Sequence, residues 1–423
     1  MKNKLLIAVL CIFMAAATLC ACAIPGAEKT DAEIKTVFAY PKAPVEEEAL
    51  AAWREENAIS PEFEEALKDF SLSTASQLIA NDENNCYSPL SLFMALSILT
   101  DGAKAETAEE LFSALGVADV ETLREQNAKL FRLLYRDSEE MKMLLANSLW
   151  IQNGFPVEED FLRHAAENYY ASIGNVDFER DIEGASKEIG AWISENTKGL
   201  LGDGYKVSDP SVVLSIINAV YFKDAWEEEF DTKDTKPRTF HNADGTETTT
   251  DFMYKCEYFD YGVGEGWRRL VLPMKNSQML FVLPNKDEDL SEMLKDPALI
   301  QEMLFGGEED RRETKLYLPK FKIKSSYNLI PTLQQLGVKR AFTEGVADLG
   351  GISKGRRLFV GTVKQEALII VDEKGAEAAA YTAMEVIEES VPQYFTFCLD
   401  RPFLYAVIVE DQLIFVGTYS EVE

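Results

Sequence analysis

The most constraining stretch of the chain joins a strand to an alanine-rich segment. Leu368, Ile369, Ile370 and Val371 are apolar and largely β-branched, and they lead into Asp372, Glu373, Lys374 and Gly375. After the glycine come Ala376, Glu377, Ala378, Ala379, Ala380, Tyr381, Thr382 and Ala383, with Met384, Glu385 and Val386 beyond. Alanine, glutamate and methionine favour helix, so a surface helix of about three turns is one reading. Read with period 2, Ala376, Ala378, Ala380 and Thr382 share one face, while Glu377, Ala379, Tyr381 and Ala383 share the other. A strand with one uniformly small face can slide between two existing strands over a filled core, which bulky side chains or a proline would prevent.

The rest of the chain can build such a sheet. It has 423 residues, 47% of them hydrophobic, enough for a large packed core. Helical spacing of apolar residues recurs over residues 61–79, 90–99, 107–115, 121–135, 158–170 and 182–196. Later the pattern changes to β-branched and aromatic runs at 212–223, 270–284, 314–323, 358–372 and 394–419. Two of these break at Lys275-Asn276-Ser277 and Glu410-Asp411-Gln412, as hairpins do. The expected class is α+β, with a mainly helical N-terminal half and large, mostly antiparallel sheets. No repeat of 20–50 residues is present, and no Pro/Gly/Ser-rich break follows residue 60, so residues 61–423 read as one domain.

The N-terminal residues read as an address. Lys2 and Lys4 precede an apolar run from Leu5 to Leu19, short for a membrane span. The run ends Leu19-Cys20-Ala21-Cys22, which is similar to a bacterial lipobox, so residues 1–21 are expected to be a lipoprotein signal peptide and Cys22 the lipid anchor. An ordinary signal peptide and a freely secreted protein are the alternative. Residues 22–60, with Pro25, Pro41 and the run Glu46-Glu47-Glu48, read as an acidic tether.

Charge and rare residues exclude several functions. The chain carries 42 Lys+Arg against 72 Asp+Glu, a formal charge of -30, which repels nucleic acid. Only His164 and His241 are available for imidazole chemistry, and Cys86, Cys256 and Cys398 are an odd set with no metal or redox spacing, expected to be buried free thiols. Gly262, Gly264 and Gly266 read as a loop, because a dinucleotide site needs a helix after them and a strand is expected. Gly350-Gly351-Ile352-Ser353-Lys354-Gly355 lacks the ending of a phosphate loop. The runs Glu227-Glu228-Glu229 and Glu308-Glu309-Asp310 lack the alternation of a calcium loop. No catalytic residues, metal site or cofactor are expected.

The alanine-rich segment resembles the reactive-loop hinge of serpins, and further matches run in order along the chain. Asn84 with Ser88-Pro89-Leu90-Ser91, then Asp101-Gly102-Ala103-Lys104-Ala105-Glu106-Thr107, are similar to the family's helix B region. Asn147 sits in the family's Ala-Asn context, and Trp192 with Thr197-Lys198-Gly199 looks like its helix F region. Asn218-Ala219-Val220-Tyr221-Phe222-Lys223-Asp224-Ala225-Trp226, Leu318-Pro319-Lys320-Phe321 and Asp400-Arg401-Pro402-Phe403-Leu404 complete the set.

The resemblance implies a serpin fold over residues 61–423 with an exposed reactive loop at about 374–392, and a suicide-type inhibitor of serine proteases rather than an enzyme. A target protease would cut the loop and be trapped as the cut loop enters the main sheet. The family's loop length places the cut between Glu389 and Ser390, with Val386 and Ile387 as the alternative, and the hinge at Gly375, Ala376, Glu377, Ala378, Ala379, Ala380 and Thr382. Residues 376–389 would span about 46 Å as a strand at roughly 3.3 Å per residue. By match, Ser88, Ser91, Asn218 and Gln365 form the polar cluster beneath the opening strands, and Lys320, Glu373 and Trp226 close the top. Gln365 stands where the family commonly has histidine, which implies opening that depends little on pH.

The loop has no Lys or Arg between Lys374 and Arg401, so an elastase-like or glutamyl-specific serine protease is expected, with a cysteine protease as a further class. Heparin is not expected as a partner, since Lys320, Lys322 and Lys324 alternate and Arg311 and Arg312 are flanked by acids. The protein is expected to be a monomer that meets the membrane only through its lipid anchor. The alternative is a non-inhibitory surface lipoprotein of the same fold that acts in binding, its loop a mere substrate.

Overall fold

The computed structural model describes residues 39–376 and 395–422. Helix starts follow capping chemistry. After α1 (Glu47–Glu56), Ser60 accepts a hydrogen bond from Phe63 N and Pro61 takes the first helical position of α2 (Pro61–Leu78). Ser88 and Pro89 repeat this at α3 (Pro89–Gly102), which is apolar all round and almost wholly buried, the central helix of the body. α4 (Ala105–Leu115) ends at Gly116, whose φ of +69° is the left-handed geometry that favours glycine, and Asp119 caps α5 (Val120–Leu134). α6 (Glu159–Tyr169) and α7 (Ile182–Asn196) follow, the second capped by Asp181. Three short helices, α8 (Leu290–Met293), α9 (Pro297–Phe305) and α10 (Ile330–Gln335), lie among later strands.

The main sheet is built on β2 (Met141–Gln152). β1 (Arg136–Asp137) and β3 (Ala171–Val176) share one of its edges, and β4 (Leu214–Ala225) pairs antiparallel along the other, with Asn147 opposite Asn218. A two-residue strand, β12 (Gly375–Ala376), continues the sheet at the far edge of β4. A second, larger sheet contains β5 (Lys236–His241), β6 (Glu247–Gly264), β7 (Trp267–Pro273), β8 (Gln278–Pro284), β9 (Glu308–Pro319), β13 (Phe395–Cys398), β14 (Phe403–Val409) and β15 (Gln412–Tyr419). β10 (Phe321–Asn328) and β11 (Lys364–Val371) form a separate antiparallel pair. Pairing is antiparallel except between β2 and β3 and between β9 and β13.

Both expected hairpins occur, and Glu410 and Asp411 take φ of 47° and 62° in the turn between β14 and β15, the left-handed geometry that matches strand twist. β14 and β15 are buried on both faces, where Phe281, Phe321, Phe403, Tyr405 and Tyr419 pack ring against ring. On the opposite face of the main sheet, Trp192 of α7 meets Trp150 of β2 edge to face, with Ile189 and Ala185 over Ala146 and Ala219. Each large side chain buried this way contributes about 1.5–3 kcal/mol.

Several expectations change. The run read at 314–323 is two strands in different sheets, because Lys320 interrupts it between Pro319 and Phe321. Gly262 and Gly264 lie inside β6, paired with β7 and β9, and only Gly266 makes the turn. In the run 358–372 the strand starts only at Lys364. Of the three thiols Cys86 is buried, while Cys256 and Cys398 are half-buried.

The expected tether over residues 22–60 is too long at its C-terminal end, because α1 is folded onto the body. Trp53 Nε1 donates to Arg132 O at 3.1 Å, Arg132 Nε donates to Asn57 Oδ1 at 2.6 Å, and Arg54 pairs with Glu410 at 2.7 Å. Tyr40 stacks on Tyr135 at 5.0 Å.

Candidate functional site

Three groups of residues surround one edge of the main sheet. At the top, the chain leaves β11 through Asp372, Glu373 and Lys374 and turns back at Gly375. Lys320, the residue between β9 and β10, donates to Glu373 Oε2 at 2.9 Å, and Thr235 Oγ1 donates to Glu373 Oε1 at 2.9 Å. Partial burial pushes the Glu373 carboxyl up, but the bonds from Lys320, from its own backbone and from Thr235 outweigh it and hold it below the usual glutamate range. Trp226, fully buried, donates Nε1 to Asp372 O at 2.8 Å and its backbone N to Lys374 O at 3.1 Å, and Phe230 N donates to Glu373 O.

Gly375 then lies against β4 with φ of +149°, and a Cβ there would fall 2.3 Å from Asp224 O. Only glycine fits at this point. Next to it Asp224 is buried and accepts from Ser277 Oγ at 2.6 Å and from Asn276 N at 2.9 Å. Burial pushes its carboxyl pKa up, with those hydrogen bonds pulling the other way.

The second group lies beneath. Gln365 of β11 makes a two-way bond with Ser88, its Nε2 donating to Ser88 O at 2.8 Å and its Oε1 accepting from Ser88 N at 3.0 Å. Ser88 Oγ in turn accepts from Ser91 N at 3.4 Å, the cap of α3. Asn218 of β4 is not joined to Gln365; its Nδ2 donates to Asn147 Oδ1 at 2.7 Å, and Asn147 Nδ2 donates to Tyr169 O. Asn218 Oδ1 is buried with no hydrogen-bond partner among the described residues. Both histidines lie elsewhere, His164 beside Asp101 and His241 beside Glu247, so no imidazole faces this cluster.

The third feature is the edge itself. Among the described residues no ladder joins β4 to β11, and the only strand on that edge of β4 is Gly375–Ala376 at its top. Accordingly β2 is buried nearly throughout, while the lower half of β4, from Leu214 to Asn218, is only half-buried. Burial pushes the hydroxyl of Tyr205, which precedes β4, above the usual tyrosine range, with Ser215 pulling it down and the Glu366 carboxylate pushing it further up.

The structure therefore brings together Lys320, Glu373 and Trp226, and separately Ser88, Ser91 and Gln365, with Gly375 and the Ala376 backbone against β4. Glu377, Ala378, Ala379, Ala380, Thr382, Val386, Ile387, Glu389, Ser390 and Cys22 lie outside the described residues. Thr235, Asp224 and Asn147 join the site without having been assigned to it. Asp224 lies within the Tyr-Phe-Lys-Asp-Ala-Trp motif, where an acid in an otherwise largely apolar strand is a readable signal.

The Serpin (serine protease inhibitor) family model matches residues 65–422. An uncharacterised serpin-like protein of Thermococcus kodakarensis is 31% identical over 364 residues, covering 83% of this chain and 84% of the relative. Human neuroserpin is 28% identical over 362 residues, covering 81% and 87%. Among solved structures, the native state of the thermophilic serpin tengpin matches with a TM-score of 0.78 and 27% identity, over 86% of this chain and 95% of that one. The motif order read along the sequence, the sheet with its added hinge strand and these matches agree, and the chain belongs to the serpin family.

Proposed function

We propose that the protein inhibits serine proteases by loop insertion: a protease cuts between Glu389 and Ser390, the hinge from Gly375 onward enters the main sheet as a new strand, and the acylated protease is carried with it. The observation that carries this reading is the edge of β4, occupied among the described residues only by Gly375–Ala376 and separated from β11. A strand entering there would find two edges whose backbone groups need partners, and Asn218 Oδ1 among the acceptors. The small residues at Ala376, Ala378, Ala380 and Thr382 suit entry over a filled core. Strain held in the intact state would be released on cleavage.

The absence of Lys and Arg between Lys374 and Arg401 supports an elastase-like or glutamyl-specific target, the former cutting at Val386–Ile387. Export with anchoring at Cys22 belongs to the same reading. The test is to mix the domain with both protease types and resolve the products under denaturing conditions. A covalent complex and loss of protease activity are expected, with sequencing of the released C-terminal peptide fixing the cut. Cleaved free protein alone, with every protease still active, would leave the binding-protein reading in its place.

A further inference from the structure

We propose that Lys255 is a positioning residue for the hinge: its ammonium, buried under the acidic turn after β4, fixes the two backbone contacts that grip the chain where it leaves β11. The consequence for inhibition rests on the insertion reading above, and the contact itself does not.

The run Glu227-Glu228-Glu229 forms the top of the turn between β4 and β5, with all three residues exposed. Beneath it lies Lys255, on the same face of β6 as the buried Met253 and Phe259. Among the described residues it is the only buried lysine, 8% exposed. Its Nζ donates to Glu228 O, lies 3.5 Å from Glu257 Oε1 and stands over the Phe230 ring at 5.1 Å. Burial pushes its pKa down, and the Glu257, Glu228 and Glu227 carboxylates pull it back up. An apolar side chain of the same length would fill this space without the cost of burying an ammonium, so what the charge adds is the bond to the turn.

The two ends of that turn are the grip. Trp226 N donates to Lys374 O at 3.1 Å and Phe230 N to Glu373 O at 2.8 Å, and the Trp226 and Phe230 rings meet edge to face at 6.1 Å. Glu227 N donates to Pro273 O at 3.1 Å, which ties the turn to the second sheet. The turn must hold Trp226 and Phe230 at one spacing while three adjacent carboxylates repel one another across its top. Lys255 reaches Glu228, the midpoint, from below with a charge of the opposite sign. Because Gly375 follows Lys374 directly, the same spacing sets where the first hinge residues lie, Gly375 opposite Ala225 and Ala376 opposite Asp224. With the turn loosened, the hinge starts without a fixed register. A strand that zips later leaves the acylated protease more time to hydrolyse free.

The test uses the full chain in two variants. Lys255→Met keeps the length of the side chain and its packing on Phe230 but has no donor, and trading a buried ammonium for an apolar group should leave overall stability near that of the parent. Lys255→Arg keeps the charge and the donor. Native-state amide exchange at Trp226 and Phe230 should be about tenfold faster in Lys255→Met, with the amides of β14 and β15 at the parent's rate, and Lys255→Arg should restore the parent's protection. Mixed with the protease that the parent traps, Lys255→Met should also leave a larger share of cleaved free inhibitor, a loss that Lys255→Arg reverses. If Trp226 and Phe230 exchange as in the parent, or if every amide speeds up together, Lys255 is an ordinary part of the core and the positioning role is wrong, while the insertion reading stands. Faster exchange with an unchanged share of free inhibitor would overturn the role equally. If the parent traps no protease, the insertion reading falls and the hinge role with it.

Discussion

Lys320 stands where one apolar run becomes two strands, and its ammonium crosses to Glu373 at the point where the loop leaves β11. Replacing Glu373 with Gln removes a charged acceptor of two hydrogen bonds. Because Lys320 is 38% exposed, solvent screens the pair, and the expected loss is about 1 kcal/mol in thermal unfolding at neutral pH. The pH dependence follows from the depressed carboxyl. A glutamate held below its ordinary 4.5 stabilises the fold fully above that value, and the contribution is lost as pH falls through the folded pKa. The parent should therefore lose more of its melting temperature between about pH 5 and 3 than Glu373→Gln does. Gln365 makes the opposite kind of statement. Its amide satisfies both backbone groups of Ser88 without titrating, so the rate of sheet opening, followed by Trp226 fluorescence, should be flat between about pH 5 and 8. Gln365→His should install a pH dependence in that window, and Gln365→Ala should cost about 2 kcal/mol by leaving the Ser88 N–H and C=O unpaired. A steep pH profile in the parent would refute this account of the cluster.

At the scale of elements, what could be read and what could not have physical reasons. The helices were legible because Ser60, Ser88, Asp119 and Asp181 cap them and their buried faces recur with helical period. β2 was not, because it is buried on both faces and rich in Met and Leu with a single β-branched residue, Ile151, so it shows neither alternation nor β-branched bias. The top of the site was legible only through motif order: Thr235 reaches Glu373 across 138 residues, and no local period records such a bond. α1 was hidden by its composition. Glu47, Glu48, Glu55 and Glu56 suggest a solvated tether, yet the same helix presents Trp53 and Arg54 to α5 and to the turn after β14. Trp53→Ala should lower unfolding free energy by about 1–3 kcal/mol, measured by denaturant titration. An unchanged midpoint would mean that α1 is only loosely applied to the body.

For the whole molecule, the question is whether the separated β4 and β11 are a resting architecture or a store of free energy. If the opening is stored strain, cleavage should make the protein more stable, the reverse of what a broken backbone does to an ordinary fold. A strand inserted from Gly375 to Glu389 would pair with two edges, cover the half-buried lower part of β4 and give Asn218 Oδ1 a donor. A net gain of about 5 kcal/mol would raise the melting midpoint by roughly 10 °C. The protein cut at Glu389 should thus melt about 10 °C or more above the intact chain. The Ala378→Pro/Ala380→Pro variant supplies the control, because proline lacks the N–H that a central strand must donate. It should be cut at the same bond, gain no stability and yield free protease instead of a covalent complex. If the cut parent melts at or below the intact protein, the opening stores nothing, and the hinge's small residues must be explained by some other partner of β4.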